Sequence, residues 1–524
     1  MRKRLVFAFA ICLLCEWSLT ANEKTNSDIN WQIRQEETEH SQVMRLVRQL
    51  TDVYGPRLTG SPSFKEACQW AGKQMKQWGM QNVNLEKWDF GHPGWTCDRY
   101  AVNVLSPFKG TLDARVVAWT PSTKGVARAK VVQIDLPENL TPENLAAYLK
   151  TIKDNIHDRI VLVGAPTKLP VTFNPPVKRL EDAALRRQYD PENPKPVSQK
   201  PTKPAVDAPQ PLELRDIDEK INTFFKAEGV LAKVTDAARD HGQISVFANR
   251  AYNTLYTVPS IVIRNEDYGR ITRILEDGIP VEMEVEIVNS VYPDENVSFN
   301  VIAEIPGNDK KDQIVMLGAH IDSWHAGTGA TDNAAGVAVM MEAMRILQHL
   351  KIKPRRTIRI ALWGGEEQGL LGSKAYIKNH FGTYESPKPD FSNLDAYLNL
   401  DSGTGRVRGA SVFGPTEAAE ILREILAPFS DLGVIGAISN SNRRHGGTDS
   451  TSFDWAGLPG INLKQDPIEY FTHTWHTNLD TYERILEQDL KQCAIVVAST
   501  AYHLAMHEES LPRFTGDQMP GIEK

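Results

Sequence analysis

What this chain of 524 residues has little of narrows its chemistry first. It contains five cysteines, and two of them, Cys12 and Cys15, fall in the first apolar run. The other three, Cys68, Cys97 and Cys493, lack the short paired spacing of a metal-thiolate site; they admit one disulfide and one free thiol without fixing the pair. No long Lys/Arg run is present and the formal net charge is −7, which excludes an obvious nucleic-acid or anionic-membrane surface. Beyond residue 21 no apolar stretch is long enough for a membrane-spanning helix. There is no Gly-x-Ser-x-Gly elbow, so a serine hydrolase of that kind is disfavoured. Neither a Gly-x-Gly-x-x-Gly fingerprint nor a Gly-rich run ending in Lys-Ser/Thr occurs, and no internal repeat is found.

What is present is a hydrophobic content of 41% with 24% charged residues, the balance of a globular protein, at a length that suits two or three domains. Residues 1–21 read as a secretory signal peptide. Arg2, Lys3 and Arg4 precede the apolar run Leu5 to Cys15, and small residues follow near Ala21. A mature chain outside the cytoplasm, secreted or periplasmic, is expected. Residues 22–114 read as the first part of a main domain, with helical spacing across 40–88. Residues 115–290 carry short apolar runs that suit a β-rich inserted unit, and within it the Pro/Lys-rich stretch 166–215 reads as an exposed extended loop. From 291 to 524 strand and helix alternate, which predicts an α/β domain with a mainly parallel sheet flanked by helices.

In such a sheet, sites gather beyond the carboxyl ends of the strands, and the polar clusters fall there. His320 and Asp322 end one strand. Asp332 opens the next helix, Glu366 and Glu367 end another strand, and Asp401 a third. His473 and His476 follow an irregular stretch. Singly, each has an ordinary structural explanation: Asp332 as a helix cap, the Glu pair as a solvated turn, a lone histidine as a hydrogen-bonded core residue. Together, two histidines and three carboxylates suit zinc, and a carboxylate bridging two ions would make a two-metal hydrolytic centre. Glu366, beside the candidate ligand Glu367, is placed to act as base. Asp322 is placed to orient His320.

The segments Gly318-Ala-His320-Ile-Asp322-Ser-Trp, Gly329-Ala-Thr-Asp332-Asn, Gly365-Glu366-Glu367, Asp401-Ser, Gly446-Gly-Thr-Asp449 and His476-Thr-Asn-Leu-Asp480 resemble, in order, those of the M28 family of zinc peptidases. The similarity is to the branch that carries a protease-associated (PA) insertion. Tyr54-Gly-Pro-Arg-Leu-Thr-Gly-Ser61 and Asn300-Val-Ile-Ala-Glu-Ile-Pro-Gly307 extend it over nearly the whole mature chain. The resemblance implies an aminopeptidase or dipeptidase with two Zn2+ per chain, acting on peptide substrates. Asp332 would bridge the ions, His320 and Asp401 complete one shell, and Glu367 and His476 the other. Glu366 would be the general base and Asp322 the residue that orients His320. A homodimer is compatible with it. One departure stands out: Ser450 follows Asp449 where relatives often have His, leaving that role vacant or to His445. Two other readings fit the resemblance less well: a non-catalytic binding ectodomain of the same fold, and a single-zinc enzyme like glutaminyl cyclase.

Overall fold

The computed structural model describes residues 27–522 except 138–139, 191–211 and 294–295. The expected signal peptide lies outside the described residues. Two eight-stranded sheets organise the chain. The first runs in the order Gln81–Asp89, Val297–Ile305, Arg356–Trp363, Lys310–His320, Leu394–Asn399, Gly460–Gln465, Val407–Phe413 and Gly436–Asn440. Lys310–His320 pairs in parallel with both of its neighbours, and Leu394–Asn399 pairs in parallel with Gly460–Gln465. The sheet is therefore mixed, with a parallel centre and antiparallel pairing at the Gln81–Asp89 edge and between Val407–Phe413 and Gly460–Gln465. This is the expected α/β class.

Its strands read as near-continuous apolar runs because helices cover both faces. The helix Ala335–His349 is buried along almost its whole length rather than on one face, packed between the sheet and the helix Glu487–Met506. Even its Glu342 and Arg345 are buried, tied to each other and to Glu36 of the first helix. Helical spacing across 40–88 holds only as far as Gln77. Gln81–Asp89 is an edge strand whose Val83 and Leu85 alternate with exposed polar residues, a period of two that short apolar content obscures.

The second sheet begins with Gly94–Ser106 rather than near residue 115, because that strand pairs along its length with Glu282–Tyr292. Its middle strands, Ala127–Ile134, Ile160–Val163, Ala232–Asp236 and Ser260–Ile263, are parallel and linked by the helices Pro142–Ile156 and Leu214–Ala227. The unit is α/β rather than β-rich. A capping box at Thr141 and Asn144 was the local signal for its first helix.

Of the Pro/Lys-rich stretch 166–215, residues 191–211 lie outside the described residues; 166–181 are mostly exposed and without helix or strand, as expected, but the part that follows turns back onto the main sheet. Within it Asp182–Gln188 is helical, and Tyr189 is buried against Gly409 and Gly436 of the first sheet. Arg408, fully buried, bonds Asp466, the Leu180 carbonyl and Asp182, while Arg179 reaches Asp466 and Asp489. These ion pairs draw the segment back across the main sheet. All three cysteines among the described residues are free thiols.

Candidate metal centre

Register places the site. His320 is level with Trp363, and Gly318 with Asn399. His320, the turn Gly364 to Glu367, and Asp401 therefore emerge side by side from adjacent strand ends. Asp332 reaches the same spot because the helix after it packs against the strand end. A Cβ on Gly336 would stand 2.5 Å from the Leu400 carbonyl and 2.3 Å from Asn333 Oδ1, so only glycine permits the approach. Asn333 then locks the turn, donating to the Leu400 carbonyl and accepting from Gly336 N.

Five of the seven singled-out residues converge. His320 Nε2 lies 3.1 Å from Asp332 Oδ1 and 3.3 Å from Asp401 Oδ1. His476 Nε2 lies 3.2 Å from Asp332 Oδ2 and 3.1 Å from Glu367 Oε2. Each ring nitrogen thus faces two carboxylate oxygens, and Asp332 divides its two oxygens between the two rings. One N–H cannot serve two acceptors well, and these separations exceed the ~2.8 Å of a charge-assisted hydrogen bond. Two ligand atoms each ~2.0–2.1 Å from one tetrahedral zinc stand about 3.3 Å apart, which matches both groups. Asp332 Oδ2 and Glu367 Oε1 are buried without a hydrogen-bond partner, a cost that metal ligation would remove. Ligand atoms of His320, Asp332 and Glu367 lie within 4.8 Å of one another. The residues fit a metal pair.

Charge points the same way. Burial, together with the Asp332 charge, pushes Glu367 up to about 7. Burial likewise raises Glu366 well above the carboxylate range, with Asp401, Glu367 and Asp449 adding to it. Burial opposes protonation of His476, yet Glu367 and Asp332 raise it to about 10. His320 is held high by Asp401 and Glu366 against the same opposing burial. The pocket holds more negative charge than its own cations neutralise, and bound cations would supply the difference.

Asp322 stands beside His320, as expected, though the tighter bonds of its carboxylate go elsewhere. His320 Nδ1 is 3.0 Å from the Asp322 main-chain carbonyl and 3.7 Å from its carboxylate. That carboxylate instead accepts from Thr59 Oγ1 at 2.9 Å and, more weakly, from the amides of Glu366 and Glu367. It steers the turn that carries both glutamates. His325 and His473 stay outside the cluster: His325 Nε2 donates to the Val116 carbonyl, and His473 bonds Thr472. Ser450 is buried at the start of the helix Asp449–Ala456, and the main chain of His445 closes the preceding turn.

Three supporting residues went unassigned in the sequence. Asp480 accepts from Thr331 N at 2.6 Å, Thr331 Oγ1 at 2.7 Å and Asp332 N at 3.2 Å, fixing Asp332 from behind. Arg57, fully buried, binds the carbonyls of Ile321, Thr328 and Gly329, which explains the turn-rich Tyr54 to Ser61 loop. Asp449, raised to about 7 chiefly by burial, sits close enough to Glu366 to raise it as well. Asp480 was signalled by its place four residues after His476. Beside the cluster the rings of Phe247, Trp324 and Trp475 surround His476, with Phe247 coming from the second sheet's unit.

A buried group of two histidines and three carboxylates at the parallel strand ends of a mixed α/β sheet defines a metallopeptidase of the aminopeptidase fold. Residues 300–501 match peptidase family M28. Human carboxypeptidase Q is 27% identical over 464 residues, covering 88% of this chain and 85% of the relative. A peptidase M28 precursor from Shewanella amazonensis SB2B superposes with a TM-score of 0.65 at 25% identity, over 94% of this chain and 99% of the other. BSAP, a zinc aminopeptidase from Bacillus subtilis, shares the fold at 18% identity and a TM-score of 0.56, over 90% and 97% of the two chains. Residues 300–501 belong to peptidase family M28, the chain as a whole is similar to carboxypeptidase Q, and it is a metallopeptidase. Among the described residues no helix is long and apolar enough to cross a membrane.

Proposed function

We propose that the protein is an exported di-zinc exopeptidase that cleaves the peptide bond next to a free terminus, as an aminopeptidase or dipeptidase. The carrying observation is the division of Asp332 between the two histidines, each completed by one further carboxylate. His320, Asp332 and Asp401 would hold one ion, and His476, Asp332 and Glu367 the other. Bound zinc supplies Lewis acidity, polarising the scissile carbonyl and making water a nucleophile near neutral pH.

The chain's own part is proton handling and orientation. Glu366 lies beside both ligand sets with its proton affinity raised by burial and by its acidic neighbours. It takes the proton from the attacking water and gives it to the leaving amine, as a general base that becomes a general acid. Asp322 and Thr59 hold the Glu366 turn in place. The leader at 1–21 directs export, and the second sheet's unit is a PA-like insertion.

The test is zinc content and hydrolysis of aminoacyl and dipeptide substrates by the mature chain and by Glu366→Gln. Two zincs per chain are expected in both proteins, with the rate falling by at least ~10³-fold in the variant. One zinc without hydrolysis would favour cyclase-like chemistry, and no bound zinc after reconstitution would overturn the catalytic reading.

A further inference from the structure

A groove of ≈ 1040 Å³ lies beside the catalytic turn, between the helices Leu371–His380 and Asp449–Ala456. Lys374, Lys378, Lys388 and Arg444 line it, and Ile377 and Trp455 give it an apolar floor. Among the described residues no Asp or Glu lines it, although the chain as a whole carries a net charge of −7. Among the described residues none of the four cations forms an ion pair. Lys374 and Lys388 donate only to the carbonyls of Gly369 and Asn379. Four cations crowded on one groove without a counter-charge repel one another and are stabilised by an anionic occupant.

The groove is linked to Glu366 through the turn that follows it. Gly369 N and Leu370 N both donate to the Glu366 carbonyl at 2.8 Å, so the wall at Leu370 is the far side of the turn that carries the base. On the opposite wall Thr451 Oγ1 ties the Arg444-to-Asp449 loop, accepting from Gly447 N and donating to the His445 carbonyl. Ser452 and Ser373 join the two helices at 2.8 Å.

We infer that the groove receives the part of the substrate that follows the scissile bond and selects peptides whose carboxylates lie there. This rests on the proposed peptidase reaction with Glu366 as base. The methylene stems of acidic side chains pack on Ile377 and Trp455 while their carboxylates meet the cations. Three residues after the scissile bond span about 10 Å when extended, enough to enter from the Glu366 turn.

The test compares Leu-Gly-Glu-Glu, with a free carboxyl end, against Leu-Gly-Gln-Gln-amide on the zinc-loaded full chain. The wild type is expected to favour the acidic peptide through a lower KM, and the preference shrinks in 0.5 M salt by screening. In Lys378→Ala/Arg444→Ala the KM for the acidic peptide rises roughly tenfold. The amide, which brings no carboxylate to these cations, loses far less than the acidic peptide. Equal losses on both peptides, or no wild-type preference, would overturn the inference. Calorimetric binding of both peptides to Glu366→Gln, with and without the two alanines, separates the questions. A charge-dependent difference in binding without wild-type turnover upholds the groove and sinks the peptidase reading, whereas turnover without that difference does the reverse.

Discussion

The arrangement around Asp332 depends on a residue that touches no candidate ligand atom. Asp480 accepts from the amides of both Thr331 and Asp332 and from the Thr331 hydroxyl, and all three donors are buried. Burial and the Asp332 charge raise Asp480 to about 7, so it is held against its preference for water by these bonds. Without it the turn is free to relax, and the bridging carboxylate loses its fixed aim at two ring nitrogens. Residues that orient metal ligands in this way typically govern affinity by one to two orders of magnitude. For Asp480→Ala zinc affinity is therefore expected to fall by roughly 10- to 100-fold, measured by competition with a chromogenic chelator. An unchanged affinity would mean that the ligands are held by their strand ends alone. The candidate ligands stand out in the sequence because polar residues interrupting apolar strands are rare and here recur at each strand end. Arg57 does not, since its work consists of bonds to main-chain groups far away in the chain, and Asp480 was marked only by its place four residues after His476.

At the scale of elements, legibility followed burial symmetry. Central strands such as Leu394–Asn399, buried throughout, appear as apolar runs. The edge strand Gln81–Asp89 and the helices of the inserted unit carry mixed polarity, so spacing alone misassigned them. The Pro/Lys-rich segment is the clearest case, because composition argues for an extended loop while tertiary contacts impose a helix and a docking site. Tyr189 fills the space left by two glycines, with its ring 2.5 Å from where a Cβ of Gly409 would sit. Removing a buried aromatic ring costs about 3 kcal/mol. Were the segment to open on its own, that cost corresponds to a roughly hundredfold larger opened population. Tyr189→Ala is accordingly expected to speed tryptic cleavage after Lys178, Arg186 and Arg187 by a comparable factor, followed by mass spectrometry under native conditions. If cleavage stays as slow as in the wild type, the Arg179 and Arg408 ion pairs hold the segment without the ring.

At the scale of the whole molecule, two buried histidines sit where distant parts of the chain are joined. His503, in the last helix, lies 2.9 Å from Asn30 Oδ1 of the first helix, so it links the two ends of the described chain. His325, on the catalytic side, donates to the Val116 carbonyl of the inserted unit and meets Trp95 edge-on. Burial lowers each from 6.5 to about 4, for His503 as the sole cause and for His325 as the first of several. Because the folded values lie below those of the unfolded chain, the unfolded state takes up protons first as the pH falls. The stability tied to each neutral ring is complete above about pH 6.5 and is lost progressively down to about pH 4, below which it levels off. Each shift corresponds to about 3 kcal/mol, of which roughly 2.5 kcal/mol is gone by pH 4.5. His503→Gln keeps a donor toward Asn30 and removes the titration. The loss of stability between pH 7 and pH 4.5, read from urea midpoints at fixed slope, is expected to be smaller in the variant by about that amount. His325→Gln should show the same relief in the transition that separates the inserted unit from the metal-binding sheet. Equal pH slopes in wild type and variants would show that these rings do not link acid stability to the junctions. In that case the acid limb belongs to ion-paired carboxylates such as Glu36, which Arg345 holds below the usual carboxylate range against its burial.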